Sequence, residues 1–140
     1  RAVPFGINPA SYQQTQHRNI EMEITMNTNE IAKLAIDALE DKKADDIRII
    51  DISHISTIAD YFIIADGSNK SQIQAMADNV SEVLARSGCH LRQTEGYQNA
   101  NWILMDFQDI IIHIFDRENR LFYDLERIWR DGVFIEKDDL

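Results

Sequence analysis

The segment from Asn101 to Asp116 constrains the fold most strongly. It holds two runs rich in apolar residues, separated by Gln108 and Asp109. Two such runs joined by two polar residues are typical of an antiparallel β-hairpin. Because an isolated hairpin is only marginally stable in water, the segment predicts a larger sheet that contains both of these strands.

The two-residue turn also predicts which side chains share a face of the hairpin. If Phe107 lies opposite Ile110, side chains alternate between two faces along each strand. One face is predicted to be core and carries Asn101, Ile103, Met105, Phe107, Ile110, Ile112 and Ile114. The other, which we call the mixed face, carries Trp102, Leu104, Asp106, Ile111, His113 and Phe115.

The mixed face has three interpretations. Buried beneath a helix, Asp106 and His113 would each need a polar partner. Left partly open, the same face has the composition of a protein interface, with Trp102 as an apolar anchor and a carboxylate that can pair with arginine or lysine. The third interpretation is a catalytic wall. The hairpin by itself leaves all three open.

Periodicity predicts the elements outside the hairpin. Helical spacing predicts a helix from Thr28, a second from Ser68 or Asn69 to Gly88, and a third that ends at Gly132. Short apolar or β-branched runs predict strands at 47–53 and 60–68, and a third, more polar strand is predicted at 90–96. The order α-β-β-α-β-β-β-α therefore predicts an α/β single domain, a mixed five-stranded sheet with flanking helices.

In the third predicted helix, the apolar side chains expected to face the core are Leu121, Phe122, Leu125, Ile128 and Trp129. The acidic tail that follows Gly132 is expected to fray. The two strands at 47–53 and 60–68 are apolar on both faces, which is typical of strands inside a sheet that is covered on two sides.

Composition narrows the class of partner. The net charge is −10, and all of that excess lies in residues 26–140, because the charges of residues 1–25 cancel. An acidic surface repels phosphate backbones, which argues against direct DNA or RNA binding and favours a basic protein partner. The single Cys89 excludes an intrachain disulfide. No apolar run approaches the roughly 20 residues of a membrane span.

Residues 1–25 differ from the rest of the chain. They contain both prolines and show no sustained periodicity, and Met26 would make a natural start. We therefore predict a leader, tag or mobile extension at 1–25 and the folded domain at 26–140.

Three motifs, ADYFIIADGS, EGYQNANWILMDFQDIIIHIF and RLFYDLERIW, occur in this order. Together they resemble the iojap-like ribosomal silencing factor family over about residues 28–131. The resemblance implies a non-enzymatic, cytoplasmic bacterial protein with a fold akin to the nucleotidyltransferases. Family members bind the large ribosomal subunit through its fourteenth protein, keep the small subunit from joining, and form homodimers. The positions matched for docking are Trp102, Leu104, Asp106 and Glu95.

A second cluster, Tyr123, Glu126 and Trp129, is predicted to share a helix face because its members are three residues apart. In one interpretation Trp129 packs on the sheet and Glu126 pairs with Arg120 or Arg130. In the other, the cluster is a dimer contact or the rim of the docking site.

The kinship with nucleotidyltransferases raises an alternative, a nucleotide-binding regulatory domain. Gly67 and Ser68 could form a phosphate-holding turn, but the next acids, Asp78 and Glu82, are four apart on a predicted helix. Nucleotidyl transfer instead needs carboxylates that alternate along a strand and hold metal ions. The histidines and the cysteine show no metal-ligand spacing, so we expect no metal and no cofactor.

Overall fold

The computed structural model of the protein describes residues 26–140, so the leader or tag predicted at 1–25 lies outside the described residues. The helices are α1 (Thr28–Asp41), α2 (Lys70–Arg86), α3 (Arg117–Tyr123) and α4 (Leu125–Ile128), and a 3-10 turn covers Lys137–Asp139. The strands are β1 (Asp45–Asp51), β2 (Tyr61–Gly67), β3 (Gln93–Glu95), β4 (Trp102–Asp106), β5 (Ile110–Asp116) and β6 (Val133–Ile135).

The strands form one mixed sheet in the order β3-β4-β5-β2-β1-β6. The central pair, β2 and β5, is parallel, and the other neighbours are antiparallel. The predicted α/β domain with a mixed sheet and flanking helices is therefore confirmed. In the described residues the sheet has six strands, and the predicted number of five is wrong by one.

The additional strand comes from the tail that was expected to fray. Residues Val133–Ile135 form β6, in which Phe134 lies opposite Ile50 and Ile135 lies opposite Ile49 of β1. A β-branched and aromatic triplet has high strand propensity, and the outer edge of β1 offers it unpaired backbone groups. The tail is thus held on the sheet by backbone hydrogen bonds.

The first two helices cover one face of the sheet. Asn27 and Asn69 cap them, since their side-chain oxygens accept hydrogen bonds from the backbone N–H groups of Glu30 (2.9 Å) and Gln72 (2.8 Å). Each such cap stabilises a helix by about 1 kcal/mol. The buried residues of this layer include Ile31, Ala35, Leu39, Ile73, Met76, Val80 and Leu84 from the helices and Ile103, Met105, Ile112 and Ile114 from the hairpin. The predicted core face of the hairpin is confirmed for its six apolar residues and is wrong for Asn101, which is exposed.

The prediction that the third helix is continuous is wrong. It divides into α3 and α4 at Asp124, whose backbone is left-handed with φ of 48°. Leu121, Phe122 and Ile128, which were expected to face inward, are 77%, 78% and 64% exposed. The break rotates α4 relative to α3, so the apolar stripe of one long helix does not form.

The short α3 and α4 segments cover only part of the second sheet face. The buried cluster on this side draws on β1, β2, β5 and α4, with Ile50, Phe62, Ile64, Phe115 and Leu125 among its members. The opposite end of the same face, over β3 and β4, remains partly open to solvent. This open end carries the mixed face of the hairpin.

Candidate docking surface

The hairpin has the register predicted from its turn. Phe107 donates a backbone hydrogen bond to Ile110 at 2.9 Å, Leu104 lies opposite His113, and Trp102 lies opposite Phe115. Strand β3 then places Glu95 opposite Leu104 on the outer side of β4. Since paired residues point to the same face of a sheet, all four predicted docking residues lie on one face.

Burial divides the mixed face in two. On β5, His113 is 4% and Phe115 is 1% exposed. On β4, Trp102, Leu104 and Asp106 are half-buried, and Glu95 beyond them is exposed. The inner strand of the mixed face is therefore buried at His113 and Phe115 and half-buried at Ile111, and its outer strand is half-buried along its length.

Three neighbours hold the indole ring of Trp102. It stacks on Phe115 with ring centroids 5.0 Å apart and planes 25° apart, and Tyr123 of α3 lies 4.6 Å from it. Its Nε1 donates a hydrogen bond to Nδ1 of His113 at 3.0 Å. The ring thus has defined contacts below, beside and at its one polar atom.

His113 is an uncharged histidine at neutral pH. Burial lowers the pKa of its imidazole to about 4, because the charged form would lose hydration. Nδ1 accepts the hydrogen bond from Trp102, so the proton lies on Nε2, which has no hydrogen-bond partner among residues 26–140. The polar partner predicted for a buried His113 is the Trp102 indole.

The acidic side chains stand at the margin of the mixed face. Asp106 Oδ1 accepts a hydrogen bond from the Gln108 N–H at 2.7 Å, which supports the turn, where Gln108 has a φ of 81°. Glu95 Oε1 accepts one from Gln93 Nε2 at 3.0 Å. Since each of these bonds uses one carboxylate oxygen, the other can meet a cation at the edge of the apolar surface.

The second predicted cluster does not form one helix face, because Asp124 interrupts the helix between Tyr123 and Glu126. Trp129 packs edge-on against Phe62, with ring centroids 4.9 Å apart. Glu126 accepts a hydrogen bond from Arg120 at 3.1 Å. These contacts match the structural interpretation of the cluster. Tyr123 alone lies beside Trp102, and its role as a rim or dimer contact stays a prediction.

The sequence did not reveal a buried ion-pair network behind this surface. Arg120 and Asp66 are 5% and 4% exposed, and Arg120 Nη1 lies 3.1 Å from Asp66 Oδ2. The same guanidinium donates to the Asp46 carbonyl and to Glu126. Burial raises the pKa of Asp66, and the Arg120 charge opposes that shift. The network joins β1, β2, α3 and α4.

The residues considered for nucleotidyl transfer do not form the arrangement that this reaction needs. Asp78 and Glu82 are on α2, and Asp78 accepts a hydrogen bond from the Tyr97 hydroxyl at 3.0 Å. Ser68 donates its backbone N–H to Gln72 at 2.7 Å. In the described part of the chain, no three His, Cys, Asp or Glu side chains are grouped to hold a metal ion. Within residues 26–140, no helix has the length and apolarity to cross a membrane.

Gly96 lets the chain approach the backbone of Trp102. Its φ is 81°, and a Cβ at this position would lie 2.1 Å from the Trp102 carbonyl oxygen. We expect Gly96→Ala to lower the free energy of unfolding by at least about 2 kcal/mol, because strained backbone and a backbone clash add together. Gly88→Ala is the matched control in urea denaturation, since Gly88 has φ of 88° with nothing within 4 Å of its Cβ. Equal losses of unfolding free energy in the two variants would contradict the expectation, because they would show that the contact with the Trp102 carbonyl adds no cost.

The fold and the site define a small mixed α/β protein with one sheet face left half open beside an aromatic cluster. The family model for "Ribosomal silencing factor during starvation" matches residues 25–140, and the chain belongs to this family.

Relatives with known names and structures agree with this assignment. The chain is 36% identical over 111 residues to the ribosomal silencing factor RsfS of Halalkalibacterium halodurans, covering 79% of this chain and 95% of the relative. It is 40% identical over 102 residues to the RsfS of Zymomonas mobilis, covering 73% and 77%. A crystal structure from Chromobacterium violaceum is 36% identical with a TM-score of 0.73, covering 74% of this chain and 87% of the other.

Proposed function

We propose that the protein docks on the large ribosomal subunit through its fourteenth protein and, by its bulk, blocks association with the small subunit. Membership of the ribosomal silencing factor family supports a ribosomal target and a repressing role in translation. The action is steric, so it needs no catalytic residue and no cofactor. The bacterial relatives support a cytoplasmic setting.

The half-open outer strand of the mixed face is the observation that carries this proposal. Trp102 and Leu104 are half-buried at the end of the sheet that α3 and α4 cover only in part. A large aromatic side chain amid aliphatic ones, with polar groups around it, is the usual composition of an interface centre. The other face of the sheet is covered by α1 and α2.

Charge favours a basic protein over ribosomal RNA as the direct contact. Glu95 and Asp106 place carboxylates at the margin of the apolar patch, on a chain of net charge −10. These groups attract arginine and lysine side chains, and they repel phosphates. A basic ribosomal protein at the joint between the subunits would supply the arginine and lysine side chains and keep the acidic groups away from RNA phosphates.

The nucleotide-binding alternative lacks support from the geometry. Asp78 and Glu82 lie four residues apart on α2, so they do not alternate along a strand as metal-holding carboxylates of a nucleotidyltransferase would. A homodimer stays a prediction, with exposed Tyr123 as its candidate contact.

Sedimentation of purified bacterial subunits tests the proposed function. We expect the protein to migrate with large subunits in a sucrose gradient and to lower the fraction of joined ribosomes when it is mixed with large subunits first. The same amount mixed with small subunits alone should remain at the top of the gradient. Normal joining by large subunits that carry the bound protein would contradict a steric block.

A further inference from the structure

We propose that His113 is a positioning residue of the mixed face, which fixes the Trp102 indole so that the ring offers only apolar surface to a partner. This inference rests on the proposed function, because it concerns how the same surface binds. It adds a residue that the docking set of Trp102, Leu104, Asp106 and Glu95 does not include.

The hydrogen bond between the two rings is the basis of the inference. Trp102 lies on β4 and His113 on β5, two pairs apart in the ladder and therefore on the same face. The 3.0 Å bond from Nε1 to Nδ1 uses the only polar atom of the indole. The indole therefore has no free N–H group to donate to a partner that contacts the ring.

The acceptor itself is held in place. His113 is 4% exposed, and the Phe62 ring lies edge-on to it, with centroids 4.7 Å apart and planes 72° apart. Burial keeps the imidazole uncharged at neutral pH, so Nδ1 retains its lone pair for the indole N–H. Phe115 below the indole restricts tilting, and the hydrogen bond restricts rotation about the side-chain torsions.

This arrangement specifies the chemistry of the partner. The partner should present an apolar slot for the indole and place its basic groups beside it, where Glu95 and Asp106 can reach them. A ring that is already fixed loses little conformational freedom on binding. Releasing one such side chain would weaken binding by about three- to tenfold.

Affinity for purified large subunits tests the proposal in a double-mutant cycle. His113→Leu removes the acceptor and should weaken binding three- to tenfold. In the His113→Asn variant the side-chain amide oxygen takes the place of Nδ1 as the acceptor for the indole N–H. Affinity should therefore return towards that of the wild type. In a Trp102→Phe background, which lacks the donor, His113→Leu should have no further effect. An equal loss in both backgrounds, or no loss in either, would overturn the proposal.

Exchange of the indole N–H protons with solvent gives a second measurement, which needs no ribosome and is made on the wild-type protein. In the wild-type protein we expect the Trp102 Nε1–H to exchange more slowly than that of half-buried Trp129, with Trp129→Phe used to assign the two NMR signals. Equal exchange rates would overturn the proposal. If the indole is protected but the wild-type protein does not bind large subunits, the proposed function fails and the positioning geometry stands.

Discussion

Replacement of Arg120 by alanine is expected to lower the free energy of unfolding by about 3–5 kcal/mol, a large fraction of the stability of a domain of this size. The reason is the charge that the substitution leaves behind. Asp66 is 4% exposed and receives its hydrogen bond from Arg120 at 3.1 Å. The remaining cation, Arg117, is 3.7 Å away and largely exposed, so it compensates poorly.

Urea denaturation of matched variants checks this expectation. Arg117→Ala is the control, because it removes an arginine whose closest ion pair, to Asp45 at 2.9 Å, is exposed. Exposed pairs contribute up to about 1 kcal/mol, so that variant should stay close to the wild type. Adding Asp66→Asn to Arg120→Ala should restore part of the loss, since the unpaired charge is then gone. Similar losses in the two arginine variants would mean that the buried pair is not what holds α3 and α4 to the sheet.

The hairpin shows how far a local pattern can predict structure. Because Gln108 and Asp109 form the turn, alternation along the two strands determines which side chains share a face. The pairing of Leu104 with His113 and of Trp102 with Phe115 follows from that local information. That Trp102, Leu104 and Asp106 share one face could therefore be predicted from the sequence, whereas Glu95 was included because of the family resemblance.

The C-terminal segment, residues 117–140, depends on contacts that are distant in sequence. Apolar spacing predicted one helix there, but Arg120 faces inward because it meets Asp66, 54 residues earlier in the chain. The left-handed break at Asp124 has no local signal comparable to a glycine or a proline. Strand β6 was missed because three residues are too few to show a period, and its pairing with β1 is equally distant.

The same dependence limits what the sequence says about the site. How much of the mixed face is open depends on where α3 and α4 lie, and the break between them at Asp124 was not predicted. The hydrogen bond from Trp102 to His113 requires a particular rotation of both rings, which residue spacing does not determine.

Replacement of Trp102 by alanine is expected to weaken binding to large ribosomal subunits by about 2–4 kcal/mol, roughly 30- to 700-fold in Kd. The indole is half-buried, already ordered by Phe115, Tyr123 and His113, and stands at the open end of the sheet. Truncating an ordered aromatic at the centre of an interface removes apolar contact area and leaves a gap that water enters. Unfolding curves of the variant serve to show that the domain stays folded.

The affinity of the Trp102→Ala protein for isolated large subunits, measured beside that of Trp129→Ala, tests most directly whether the mixed face binds the ribosome. Trp129 is also half-buried, but it packs on Phe62 at the covered end of the sheet. We predict that Kd rises at least about 30-fold for Trp102→Ala and changes by less than about threefold for Trp129→Ala. A folded Trp102→Ala protein that binds large subunits as tightly as the wild type would contradict a docking role for the mixed face.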